Sequence, residues 1–241
     1  DNVKMNRLMS FTVFLFSITI SVNAAANVIM TGTRIIYPDD IKEKTIQLRN
    51  TSSQPFIVSI QVDDGSGIEK AKHPEAPFIT TPQIFRMEPE SGQSVKLIFT
   101  GDNLPQDRES IFYFSFSQLP YLENKDKDRN QLVLALTNRL KIFYRPHTIP
   151  GNSYETAEKL SFQLKPHGIE VTNPTGYYSV IRRAELIANG TKYPLADAVM
   201  VPPKSKVEWP LRANTVNTRN ASIALVTVND YGVNVDSRHP L

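Results

Sequence analysis

The sequence predicts an all-β protein built from two sandwich-like domains, and three observations carry that reading. Apolar residues recur at every second position rather than at helical spacing. The 17 prolines and 10 glycines cut the chain into short runs. The alternation stops after Tyr144-Arg145-Pro146 and restarts beyond Glu155, dividing the runs into two groups. With 241 residues and 40% hydrophobic content, the chain can bury two ordinary cores.

Residues 1–24 are set apart from the fold. Asp1–Lys4 precede Met5, the expected initiator, and read as upstream sequence. From Met5 a basic residue (Arg7), an apolar run from Phe11 to Ile20 and small residues ending at Ala24 follow the layout of a cleavable secretory signal peptide. The apolar run is shorter than the roughly 20 residues that span a bilayer, so membrane insertion is not expected. Residues 25–146 then form the expected first domain, with strands over Lys44–Asn50, Phe56–Val62, Ser94–Thr100, Ser110–Leu119 and Gln131–Arg145. Turn formers separate them, as in Asp63-Asp64-Gly65-Ser66-Gly67 and Glu88-Pro89-Glu90-Ser91-Gly92. The polar segment 147–155, with a proline, a glycine and no alternation, is the expected linker. Residues 156–241 form the expected second domain, with strands over Lys159–Lys165, Gly168–Asn173, Tyr177–Ala188, Lys206–Leu211 and Ala221–Asp230.

Composition excludes several function classes. The formal charge is +3, and loss of residues 1–24 would lower it by one, which gives nucleic-acid binding no support. The run Glu123–Asn130 is mixed in sign and reads as a solvated loop. There is no cysteine, so an exported chain must be held by buried area alone, without disulfides or thiolate chemistry. His73, His147, His167 and His239 lack metal-ligand spacing, and no nucleophile elbow or phosphate-binding glycine loop is present. Neither a cofactor nor an enzymatic activity is expected. The sequons at Asn50, Asn189 and Asn220 are common tripeptides, and Trp209 is expected to pack inside the second domain.

One segment does not fit an ordinary fold. Gln131–Arg145 is 15 residues long, against about five or six for a typical strand. Leu132, Leu134 and Leu136 make one apolar row and Val133, Ala135 and Thr137 the other. A buried central strand is the simpler reading of that pattern. The other is an edge kept open for a partner strand, with backbone groups supplying affinity and alternate side chains filling pockets.

Motifs through the chain bear on that choice. Thr31–Pro38 (TGTRIIYP), Asp107–Phe114 (DRESIFYF), Asn138–Pro146 (NRLKIFYRP), Thr172–Tyr178 (TNPTGYY) and Asn229–Gly232 (NDYG) resemble, in the same order, the periplasmic chaperones of the chaperone–usher pathway. The resemblance implies two immunoglobulin-like domains in an L, a periplasmic location, and a non-enzymatic role in folding pilus or fimbrial subunits, capping them and delivering them to an outer-membrane usher. It implies that Leu132, Leu134 and Leu136 are the donor-strand row inserted into the incomplete sandwich of a subunit. Arg34 and Lys141 match the residues that hold the subunit's C-terminal carboxylate, a charge-assisted contact that would fix register. Glu109, Arg145 and Asp230 match charged residues that bridge the two domains. The short Pro120–Asn130 stretch and the absence of cysteine resemble the short-loop subclass.

Strict alternation places Lys141 on the face opposite the leucines, so a bulge between Thr137 and Leu140 is expected. Self-association of the free form is expected from the exposed row. The alternative function is a secreted immunoglobulin-like adhesin or surface binding module, which would not need the Arg34/Lys141 pair.

Overall fold

The computed structural model describes residues 27–66, 76–123, 130, 132–211 and 216–241; the expected signal peptide lies outside them. The first domain contains β1 (Val28–Met30), β2 (Arg34–Pro38), β3 (Lys44–Asn50), β4 (Phe56–Asp63), β5 (Phe78–Thr81), β6 (Ile84–Met87), β7 (Gly92–Phe99), β8 (Ser110–Pro120) and β9 (Leu136–Arg145). They form a four-stranded sheet in the order β1-β3-β7-β5 facing a five-stranded sheet in the order β2-β9-β8-β4-β6. The second domain contains β10 (Ser161–Lys165), β11 (Gly168–Asn173), β12 (Ser179–Ala188), β13 (Thr191–Val201), β14 (Ser205–Pro210), β15 (Ser222–Val228) and β16 (Asn234–Pro240). Its sheets run β10-β11-β14 and β13-β12-β15-β16. Ser153–Glu155 and α1 (Thr156–Lys159) make a short helical turn between the two groups of strands, where alternation gave no strand.

Alternation explains each core. In β4, Phe56, Val58 and Ile60 are buried, and in β8, Phe112, Phe114 and Phe116. These rows meet Ile46, Leu48, Val95 and Leu97 from the opposite sheet, the interdigitation expected of packed sandwiches. Tyr37 completes this core with its hydroxyl satisfied, donating to the Lys42 carbonyl at 3.2 Å and accepting from the Phe99 N–H at 3.0 Å. Ile169, Ile181, Leu186, Trp209, Ile223 and Leu225 form the second core.

The first two strands belong to different sheets. β1 pairs with β3, whereas β2 pairs in parallel with β9. Gly32, at a φ of 89°, allows the crossing between them. The buried side chain of Gln118 on β8 secures β1 from across the sandwich. Its Oε1 accepts from the Val28 N–H at 2.8 Å and its Nε2 donates to the Val28 carbonyl at 2.9 Å.

One buried device occurs in both domains. The Asn50 side-chain amide donates to the carbonyls of Gln54, Met87 and Glu88, and its oxygen accepts from the Ser52 N–H. Asn173 likewise donates to Tyr177, Val201 and Pro202, and accepts from Thr175. Each closes a turn after a strand and ties it to a distant loop, satisfying buried carbonyls that no ladder reaches. With Asn50 wholly buried, its sequon is inaccessible to a glycan. Asn173→Ala should lower unfolding stability by about 3 kcal/mol, because it strands several buried carbonyls at once. Urea unfolding followed by Trp209 fluorescence checks this within the second domain.

Candidate functional site

Register defines the site. β2 pairs with β9 only from Arg34↔Lys141 to Pro38↔Arg145. The first half of β9, Leu136–Leu140, pairs with β8 on one side and, among the described residues, has no strand on the other. Leu136 is the first residue of β9, so the expected strand from Gln131 is shorter in the structure; Leu132–Ala135 carry no strand pairing, and Gln131 lies outside the described residues. The leucines are open to solvent, with Leu132 at 86%, Leu134 at 60% and Leu136 at 43% exposure. The reading of this segment as a buried central strand is thereby overturned.

The expected bulge is absent. Pairing between β8 and β9 runs unbroken from Gln118↔Leu136 to Ser110↔Tyr144. A continuous ladder keeps strict alternation, so Leu136 shares its face with Leu140, Ile142 and Tyr144, which pack in the core, while Lys141 projects from the other face. Of the leucine row, Leu136 therefore continues the core layer, Leu132 and Leu134 precede the ladder, and Lys141 lies on the face of Phe143 and Arg145, which line the cleft.

Arg34 and Lys141 are register partners at the point where β2 begins. Both are half-buried, and no ion pair holds either among the described residues. Burial lowers the Lys141 pKa below the ordinary lysine value, and repulsion from Arg34 adds to that. Burial also lowers the Arg34 pKa, partly offset by Asp230 and reinforced by Arg182. Two cations held together out of full solvent form a site that an arriving carboxylate would relieve.

The cleft beside them, about 180 Å³, is lined by Arg34, Phe143, Tyr154, Tyr178, Val180 and Asp230, among others, and so has walls from both domains. Its floor is an ionic node at the end of β9. Arg145 donates Nε to Glu109 at 2.9 Å and makes a bidentate pair with Asp230 at 2.8 and 2.9 Å. Glu109, 3% exposed, also accepts from the Tyr178 N–H at 2.7 Å, and Asp230 accepts from the Ser153 hydroxyl at 2.9 Å. The pKa of Glu109 is raised by burial, against the opposing pull of Arg145 and the Tyr178 N–H. Burial alone would raise Asp230 too, but hydrogen bonds and charge from Arg145 hold it below its usual value.

The turn bearing Asp230 is shaped by Asn229, whose side-chain oxygen accepts from the N–H groups of Tyr231 and Val233. Gly232 sits at a φ of 77° against Thr33, where a Cβ would fall 2.5 Å from the hydroxyl. That contact explains the glycine of NDYG. A second interdomain pair, Lys204 to Asp107 at 2.9 Å, and the Glu109 N–H to Gly176 carbonyl bond were not visible in the sequence. Both depend on loops whose contacts have no local pattern.

An unpaired apolar edge beside a cationic cleft, on two immunoglobulin-like sandwiches, is a surface suited to holding a partner segment. Comparison with known proteins makes the class specific. Residues 27–150 match the N-terminal domain family described as the pili and flagellar-assembly chaperone PapD, and residues 155–239 match the PapD pili assembly chaperone C-terminal domain. The probable fimbrial chaperone YadV of Escherichia coli K12 is 32% identical over 226 residues, covering 91% of this chain and 92% of the relative. Chaperone protein HifB of Haemophilus influenzae is 34% identical over 229 residues, covering 93% and 92%. The crystal structure of YadV superposes with a TM-score of 0.76 at 30% identity, over 89% of this chain and all of that one. The chain belongs to the PapD-like family of fimbrial and pilus assembly chaperones, a family of chaperones and not of enzymes. Among the described residues, no helix is long and apolar enough to cross a membrane.

Arg145→Ala should destabilise the protein by about 3–5 kcal/mol, since it leaves Glu109 buried without its cation. Glu109→Gln introduced beside it should recover much of that loss. Equilibrium unfolding of the two single variants and the double variant measures the coupling directly.

Proposed function

We propose that this chaperone captures pilus subunits by adding the edge of β9 to an incomplete subunit sandwich, caps them in that state and passes them to an outer-membrane usher in the periplasm. The observation that carries the reading is the coincidence of three features at one place. The open edge of β9 ends where β2 begins, its leucines share the face of the core, and Arg34 and Lys141 flank the boundary.

These features prescribe how a partner strand would lie. A strand added at Leu136–Leu140 would occupy the position that β2 holds beside Lys141–Arg145, in line with it. It could not run past Arg34 without displacing β2, so its end should fall at the two cations. A terminal carboxylate meets them only if the strand runs toward Lys141, parallel to β9. Leu132, Leu134 and Leu136 would then enter the partner's core from the same side on which Ile142 and Tyr144 enter this one. The opposite parity of Lys141 is what this arrangement requires, because the carboxylate is read from the cleft while the leucines are read from the core.

The ionic node of Glu109, Arg145 and Asp230 supports the reading by fixing the second domain against the end of β9. A secreted adhesin would have no use for a cation pair at the end of an open edge, and the family relationship argues against that alternative.

Leu134→Glu should reduce capture of a fimbrial subunit by about 2–3 kcal/mol, the value of one buried leucine, while leaving unfolding stability within about 0.5 kcal/mol. Co-purification together with urea unfolding separates the two effects; loss of the fold would contradict an outward-facing leucine. Lys141→Ala should abolish co-purification while preserving the fold, and full retention would remove the anchor. The pH dependence follows from the lysine. Its cation is required for carboxylate binding and its pKa is depressed, so affinity should fall with rising pH at values below the ordinary 10.5. Lys141→Arg should abolish that alkaline decline. A binding titration across neutral to alkaline pH, in a buffer of fixed ionic strength, measures it.

A further inference from the structure

Strand β12 changes parity in its middle. Its buried positions run Ser179, Ile181, Ala184, Leu186 and Ala188, with a three-residue step where two would keep alternation. Pairing with β15 shifts at the same place, between Ile181↔Thr227 and Arg183↔Val226, which is a β-bulge. Its effect is to place Arg182 and Arg183 side by side in solvent on a strand that should expose only one of them. Bulges of this kind re-aim side chains and cluster near functional sites.

The two arginines are in different company. Arg183 Nε lies 3.5 Å from Glu185, and its register partners are Asp197 on β13 and, across Val226, Asp236 on β16. Arg182 donates Nε to the Asn234 side-chain oxygen at 2.8 Å, a neutral acceptor, and has no carboxylate partner among the described residues. The contact orients the guanidinium without neutralising it and leaves its other N–H donors available.

Position makes this cation relevant to the cleft. Val180, two residues earlier on β12, is part of the cleft wall, and Asn234 follows directly on the turn that brings Asp230 and Tyr231 there. The charge of Arg182 also bears on Arg34, adding slightly to the lowering that burial imposes there. Asp230, a carboxylate of the cleft wall, is already engaged in both oxygens by Arg145. Arg34 thus lines the cleft with Lys141 beside it as its register partner, and Arg182 stands next to the wall from the second domain, a surplus of positive charge beyond what one terminal carboxylate can match.

We propose that Arg182 is a specificity-determining residue that reads an acidic side chain close to the carboxyl terminus of the bound subunit. Subunits with Asp or Glu in their last few residues are preferred over those with neutral residues there, with Arg34 and Lys141 holding the terminal carboxylate and Arg182 the neighbouring acid. The inference rests on the carboxylate-anchor reading above and adds a second recognition point from the other domain.

The test uses the full chain and three synthetic peptides: acetyl-Val-Thr-Asp-Val with a free terminal carboxylate, the same peptide with Asn for Asp, and the Asp peptide with an amidated terminus. Binding is followed at low salt through the arginine side-chain N–H resonances of the protein. The wild type should favour the Asp peptide over the Asn peptide by roughly two- to fivefold, the range of a partly solvated ion pair, and added salt should erode the preference. Arg182→Gln should erase the ratio without changing affinity for the Asn peptide, and Arg182→Glu should invert it. An unchanged ratio in Arg182→Gln, or no binding of either acid peptide at millimolar concentration, overturns the proposal. Amidation and Lys141→Ala report on the anchor separately: undiminished binding of the amidated peptide would overturn the anchor, whereas loss of binding on amidation with no Asp preference would overturn only the role of Arg182.

Discussion

The parallel pairing of β2 with β9 is five residues long, and the rest of the molecule is arranged around where it stops. Had the N-terminal segment continued along one sheet, β9 would have been covered over its whole length. Instead β1 is held on the opposite sheet by the Gln118 amide, and the crossing at Gly32 leaves half an edge without a neighbour. An uncovered apolar edge is ordinarily a liability, since its backbone groups and side chains invite indiscriminate pairing. Here it is bounded by a charged end, so the geometry that exposes the edge also limits what can lie along it.

Strand β9 therefore holds several functions in sequence order. Leu136–Leu140 provide the edge, Lys141 the cation, Ile142 and Tyr144 the core, Phe143 an edge-to-face contact with Tyr178, and Arg145 the bond to the second domain. The buried Ile142 and Tyr144 keep the strand from sliding, because a slip of one residue would exchange core and cleft faces. The open edge is in this way connected to the interdomain ionic node through ordinary ladder hydrogen bonds.

Much of this was legible in the sequence where side-chain period and burial coincide. β3 and β11 match the alternating runs residue for residue, and β4 and β8 extend the predicted strands by one residue each. The strands without a forecast are short, polar or interrupted, and β2 and β5 alternate over too few residues to stand out. β16 is a polar edge, β13 is broken by Pro194 and a register shift, and β5 and β6 are four residues each around a tight connection. The motifs drew attention to Arg34, Lys141, Glu109, Arg145 and Asp230, but not to what lies around them. Thr33 against Gly232 and Lys204 against Asp107 are meetings of distant loops, which no local pattern encodes. The adjacent pair Arg182-Arg183 did break alternation inside a predicted strand, a trace of the bulge present in the sequence itself. The expected bulge in β9 failed for the converse reason: it assumed that leucines and lysine must share a face, whereas an unbroken ladder separates them between two environments.

The asparagine that closes a turn in each domain makes the two sandwiches comparable strand by strand. Asn50 and Asn173 make the same set of bonds in the same setting, so the two domains can be regarded as one architectural unit used twice. Each unit ends in a strand with free edge length, β9 in the first and β16 in the second. The free edge of β9 is preceded by leucines; β16 carries Asp236, Arg238 and a terminal proline, residues that discourage pairing. The two edges thus differ in a few side chains on a common scaffold, apolar beside the one and charged and proline-ended along the other.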